Sequence, residues 1–271
     1  MASKLRFFPV TVFFALPGTF LITYLISALM HHVEYILPTI SDTGASVPES
    51  CVFGMLLNLT VALMLFIVYV RHKQISEFFK AKSINKSKEH VAMINMIATS
   101  AGVLSCIGLD VAANFQISHL PPVHDCGILL CFWCSAIYIF IQTVISFWMS
   151  PEMTSLWVVA VRGILGMMAT ALIVIAITVE LVAEEKLIDV YGNFNRSVIA
   201  HWNSTQPGWP EHITSGLSQW ITVVTIGSFI LTYYIDFKRV TIYPPELVMH
   251  ADPVPKPVEA TNFRSLQYIY S

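Results

Sequence analysis

The chain is 271 residues long, 55% apolar and only 12% charged, with a mean hydropathy of +0.67. That composition excludes a soluble globular protein, which needs polar side chains to cover its surface. A net charge of −2 gives no reason to expect a nucleic-acid partner, and the 5 cysteines are too few for a disulfide scaffold.

Six stretches of about twenty predominantly apolar residues suffice to cross a hydrocarbon core roughly 30 Å thick. They lie at 7–30, 51–70, 91–114, 125–149, 158–181 and 214–236. Lipid offers the backbone no hydrogen-bond partners, so the spans are predicted to be helices. The expected architecture is all-α, a six-helix membrane domain over 1–237 followed by a disordered cytosolic tail over 238–271. Lys186 and Arg196 alone among the 15 Lys and Arg residues fall on one side of these spans. The positive-inside rule then predicts that both termini are cytosolic. Lys4 and Arg6 suit a signal-peptide n-region, but the apolar run exceeds an h-region and lacks an A-x-A end, so an uncleaved helix is expected.

Pro17-Gly18 falls within the first span, where a kink is tolerated because neighbouring helices satisfy the freed carbonyl. The first outer loop contains Ser41-Asp42-Thr43-Gly44, a turn signature. Pro48-Glu49-Ser50 then reads as a helix start, with Glu49 at the positive end of the helix dipole. Asn58, inside the second span, is expected to bond to another helix. The basic stretch 71–90 is a topology signal that also suits anionic headgroups. In the third span Ala98/Gly102 and Ala101/Ser105 are small pairs at four-residue spacing, suited to close helix packing. Asp110 at its outer end has two readings, solvation at the interface or part of a site.

Cys131 and Cys134 form a C-x-x-C within the fourth span, without the four ligands of a zinc site, and are read as packing residues. Cys51 and Cys126 share the outer face, where a disulfide is compatible with their placement. Trp148 and Trp157 bracket the turn at Ser150-Pro151-Glu152, as interfacial aromatics do. Arg162 is expected to snorkel to the inner headgroups. In the last outer loop, 182–213, Asn195 and Asn203 open glycosylation sequons.

Six of the 9 histidines fall on the outer side: His31, His32, His119, His124, His201 and His212. Asp42, Glu49, Asp110 and Asp125 share it. One reading is that these groups satisfy loop backbones. A second is a pH sensor, because the ordinary imidazole titrates near 6.5. A third is a metal-assisted lipid hydrolase, although no H-x-x-x-H or H-E-x-x-H spacing occurs.

LPTISDTGASVPESCVFG, YVRHKQ, ANFQ, VHDCG, HWN with His212 and Trp220, and LTYYIDF occur in this order. The series resembles the damage-regulated autophagy modulator (DRAM) family, within the wider FRAG, SFK and TMEM150 group. The resemblance runs over about residues 10–240. It implies a six-helix, lysosomal membrane protein that promotes autophagy. It supplies no catalytic residues, metal or cofactor, and no enzyme activity is expected. The TMEM150 branch implies a plasma-membrane regulator of phosphoinositide-kinase recruitment, and links to GPI-lipid processing imply a lumenal lipid-remodelling hydrolase. Both remain alternatives. The motif positions favour a lumenal-face site of His32, Asp42, Glu49, Asn114, His124 and His212 that binds a lipid headgroup or senses pH. Membrane lipids, and autophagy or phosphoinositide-kinase machinery, are the expected partners.

Overall fold

The computed structural model describes residues 4–82, 88–192 and 201–242. Six long helices dominate: α1 (Phe7–Leu29), α2 (Glu49–Ala81), α3 (Lys88–Asn114), α4 (Pro121–Trp148), α5 (Leu156–Tyr191) and α6 (Trp209–Leu231). A short α7 (Tyr233–Phe237) continues α6, and single 3₁₀ turns occupy Lys4–Arg6 and Asp42–Gly44. The six long helices are long and apolar enough to cross a membrane. The described residues up to Thr241 belong to one compact unit; of the expected tail over 238–271, residues 243–271 lie outside the described residues.

Large apolar side chains such as Phe14, Met55, Phe140 and Met167 point outward, which suits lipid rather than water. Between the helices, small residues permit close approach. A Cβ added to Gly108 of α3 would stand 2.5 Å from the Cys131 backbone nitrogen of α4 and 2.6 Å from the Gly127 carbonyl. Without a hydrophobic force between helices in lipid, such contact provides the packing energy. Ala98, Ala101 and Ser105 are buried as the four-residue spacing predicts, but the tightest approach falls further along, at Gly108 and Gly127.

Several boundaries differ from the hydropathy reading. Helix α2 continues into the basic stretch as far as Ala81, and α5 continues past residue 181 to Tyr191. Hydropathy marks where lipid is tolerated, whereas helix hydrogen bonding does not stop at the membrane boundary. Ser155 accepts a bond from the Val158 N–H to start α5, and Gly192, at φ 77°, ends it. Helix α1 runs uninterrupted through Pro17.

At the end that holds Lys4–Arg6 and α7, three charged side chains are wholly buried. Arg71, Arg162 and Asp236 are each 0% exposed. Arg162 therefore does not snorkel, and Arg71 is an interior residue of α2 instead of a loop cation. Asp236 Oδ2 accepts from Arg71 Nη1 at 3.0 Å and from Arg162 Nη2 at 2.7 Å, while Thr154 donates to its Oδ1 at 3.0 Å. Gln142, Gln74 and Ser146 accept the remaining Arg71 bonds, and Ser146 and Thr232 those of Arg162. The Tyr233 ring lies 5.1 Å and 4.9 Å from the two guanidinium carbons. Burial without such partners would be prohibitive, so the network fixes α2, α4, α5 and α7 relative to one another. Trp148 and Trp157 are exposed at this end, as expected.

Candidate functional site

The opposite end is built around the connection between α1 and α2. It turns inward instead of arching over the bundle: Thr39, Ile40, Asp42 and Thr43 are all buried. Backbone groups that leave water need partners, and helix side chains supply them. Gln219 Oε1 accepts from the Ile40 N–H at 3.2 Å, and Trp220 Nε1 donates to the Pro38 carbonyl at 3.1 Å. The turn is closed by Thr43 Oγ1 donating to the Ile40 carbonyl at 2.7 Å, and Thr43 also meets Thr23 of α1 at 3.2 Å. Leu37 takes φ 44°, and its carbonyl lies 2.6 Å from where a Cβ on Gly216 would be. Glycine there lets the connection sink against α6.

Three histidines pin this plug to three walls. His212 on α6 meets Glu180 Oε1 of α5 through Nδ1 at 3.1 Å and faces Asp42 Oδ2 through Nε2 at 3.8 Å. Thr39 Oγ1 donates to the same Asp42 oxygen at 2.6 Å. The Trp202 ring stacks on His212 with centroids 4.5 Å apart and an interplanar angle of 23°. Gly208, at φ 78°, sets the turn that brings Trp202 and α6 together; a Cβ there would lie 2.5 Å from the Ala183 carbonyl. His124 on α4 meets Ser41 Oγ through Nε2 at 2.8 Å, while Nδ1 faces the Phe115 carbonyl at 2.9 Å. Carbonyls only accept, so Nδ1 carries a proton. His32 Nδ1 pairs with Glu49 Oε1 at 2.7 Å at the start of α2.

Of the predicted site residues, Asp42 and His212 come together, and His124 joins them through Ser41. His32 and Glu49 form a separate pair. Asn114 stands apart, its amide paired with Asn58 and its Nδ2 donating to the Asp110 carbonyl at 2.7 Å. Asn58 thus bonds to another helix, as expected. Cys51 and Cys126 are free and exposed. Among the described residues no group of three or more His, Cys, Asp or Glu is placed to hold a metal ion. Asn203 Oδ1 accepts from the Thr205 N–H at 3.1 Å; Asn195 lies outside the described residues. Sequence reasoning left out Glu180, Thr39 and Gln219. Glu180 was legible as a carboxylate in an otherwise apolar span, which marks a functional candidate.

Beneath the plug a cavity of about 400 Å³ runs among the helices, apolar along most of its wall.

These features define a polytopic helical membrane protein with a plugged, histidine-pinned end and an internal cavity. A family model described as Frag1/DRAM/Sfk1/Cwh43P N-terminal domain matches residues 4–240, and the chain belongs to that family. It is 34% identical over 254 residues to DNA damage-regulated autophagy modulator protein 2 of Rattus norvegicus, covering 92% of this chain and 90% of that protein. It is 31% identical over 225 residues to DNA damage-regulated autophagy modulator protein 1 of Mus musculus, covering 83% and 87%. A shorter match, 30% over 137 residues, covers 51% of this chain and 55% of the modulator of macroautophagy TMEM150B of Danio rerio. No solved structure matches the chain.

Proposed function

We propose that this protein modulates autophagy from the lysosomal or a related endomembrane, without catalysis, and that its histidine-pinned end faces the lumen. The names of the similar proteins support the autophagy role, and the distribution of Lys and Arg supports the orientation. The carrying observation is that His32, His124 and His212 link the α1–α2 connection to α2, α4 and α6, through Glu49, through Ser41 and through a 3.8 Å approach to Asp42. This arrangement suits a conformational latch. A protonated imidazole at His212, between Asp42 and Glu180 and with Glu184 one turn further along α5, gains attraction. The latch therefore tightens as the lumen acidifies and loosens as the proton is lost.

The first test is localisation of a C-terminally tagged chain during starvation, with autophagic flux measured on knockdown. Lysosomal signal with altered flux supports the reading. Stable plasma-membrane signal with unchanged flux overturns it and favours a phosphoinositide-kinase scaffold. The latch itself is checked by hydrogen exchange of residues 39–44 at pH 5 and pH 7.4. Protection is greater at pH 5 in the wild type, and the difference disappears in His212→Gln.

A further inference from the structure

The cavity beneath the plug holds about 400 Å³, toward the lower end of the roughly 300–1,000 Å³ of small-molecule sites. All six long helices line it, and from His124 at the plug to Ser135 it follows α4 for about 16 Å. That is room for one compact hydrocarbon body and not for the paired chains of a diacyl lipid. The wall is largely apolar, and its polar groups are spent within the protein. Ser105 and Ser135, at the inner end, donate to the Cys131 and Phe132 carbonyls at 3.1 and 2.8 Å. Gln219 accepts from the Ile40 N–H and donates to Ser215 Oγ at 3.2 Å. Glu180 gives Oε1 to His212 and buries Oε2, and Asp125 is engaged as well. A cationic head would lose water here without gaining a free carboxylate. An anionic head would meet two carboxylates, with no Lys or Arg among the described lining residues. The wall therefore selects an uncharged ligand. Ser41 offers it an acceptor: His124 Nδ1 carries the proton, so in the neutral imidazole Nε2 accepts from the Ser41 hydroxyl, whose oxygen keeps lone pairs for a donor. Among the described lining residues, Leu129 of α4 and Leu181 of α5 alone are exposed, so at this seam one side chain separates the cavity from lipid.

We propose that the cavity binds a sterol, which enters between α4 and α5 and lies with its hydroxyl at the plug. A sterol has the chemistry this wall accepts: a compact, uncharged hydrocarbon body and a single hydroxyl. The hydroxyl donates to Ser41 Oγ, and the ring system packs between Ile128 of α4 and Ile177 of α5. Fatty acids and long-chain amines are rejected by their charge, and diacylglycerols by their second chain. The occupant touches Ser41 and so braces the plug from below. The binding claim goes beyond the autophagy reading and concerns the isolated protein, so either can fail alone.

The test is photocrosslinking of the full-length protein in phosphatidylcholine nanodiscs at pH 7.4 with a diazirine-bearing cholesterol. Labelling is expected on α4 and α5 peptides, competed by cholesterol and not by dioleoylglycerol, octadecanoic acid or octadecylamine. Ser41→Ala lowers labelling roughly fivefold, the loss of one neutral hydrogen bond. With the methyl ether of the probe, which has no hydroxyl to donate, Ser41→Ala and the wild type label alike. Ile128→Trp fills the body of the cavity and abolishes labelling; Ile177→Trp does so from α5 and decides if Ile128→Trp does not fold. Competition on the wild type by dioleoylglycerol or by either charged lipid, to the same extent as by cholesterol, overturns the proposal. So does unchanged labelling of Ser41→Ala by the hydroxyl probe or of a folded tryptophan variant. Loss of labelling in a folded tryptophan variant with unchanged flux in cells supports the site and separates it from the autophagy reading.

Discussion

Asp236 is the residue on which most depends at the terminus-bearing end. Among the described residues it is the sole carboxylate in direct contact with two buried guanidiniums. Asp236→Asn leaves both without a counter-charge, and removing one partner of a buried pair typically costs about 3–5 kcal/mol. A thermal melt of the protein in detergent is expected to show that loss as a large downward shift. Arg162→Lys keeps the charge but cannot reach Asp236, Ser146 and Thr232 at once. Its melting shift is expected in the same direction and smaller, consistent with about 1–3 kcal/mol for donors and acceptors left unpaired. Equal stability of Asp236→Asn and the wild type would show that the network does not hold the helices.

Among the elements, the α3–α4 seam and the plug respond to single methyl groups for different reasons. Gly108→Ala drives a Cβ into the Cys131 backbone, which cannot swing aside as a side chain can. Overpacking of this kind costs about 1–3 kcal/mol. Gly18→Ala is the control: nothing lies within 4 Å of its Cβ position, so its melting temperature is expected to stay within a degree or two of wild type or to rise. Gly216→Ala pushes on the Leu37 carbonyl instead of on a helix. Its expected signature is faster hydrogen exchange over residues 39–44, with the helices retaining their protection. That split distinguishes a loosened plug from a destabilised bundle.

For the molecule as a whole, the two ends do different work. One is locked by charges that are fully paired and fully buried. The other is held by imidazole contacts with carboxylates, a hydroxyl and a carbonyl, next to a largely apolar cavity. The proposed orientation has a direct check at this scale. If the end with Trp202 is lumenal, Asn203→Gln and Asn195→Gln each remove one glycosidase-sensitive mass step on gels of the expressed protein. Absence of any such step in the wild type would argue against the orientation or against use of these sequons.

Sequence alone was enough for the six spans, the helix start at Glu49, the small-residue packing of α3 and the gathering of histidines at one end. Each follows from local composition and spacing, because a lipid environment imposes the same demand on every twenty-residue window. The family was also legible, through short motifs in fixed order. What the chain does with its charges was decided by tertiary structure. Arg71 and Asp236 are 165 residues apart, and Arg162 and Asp236 are 74 apart. Nothing in their local sequence distinguishes an arginine that snorkels from one enclosed by other helices. The plug and the cavity have the same origin. Whether residues 38–44 arch over the bundle or sink into it depends on Gly216, Gln219 and Trp220 on α6 facing them, and the order of residues along the chain does not fix which helix faces meet.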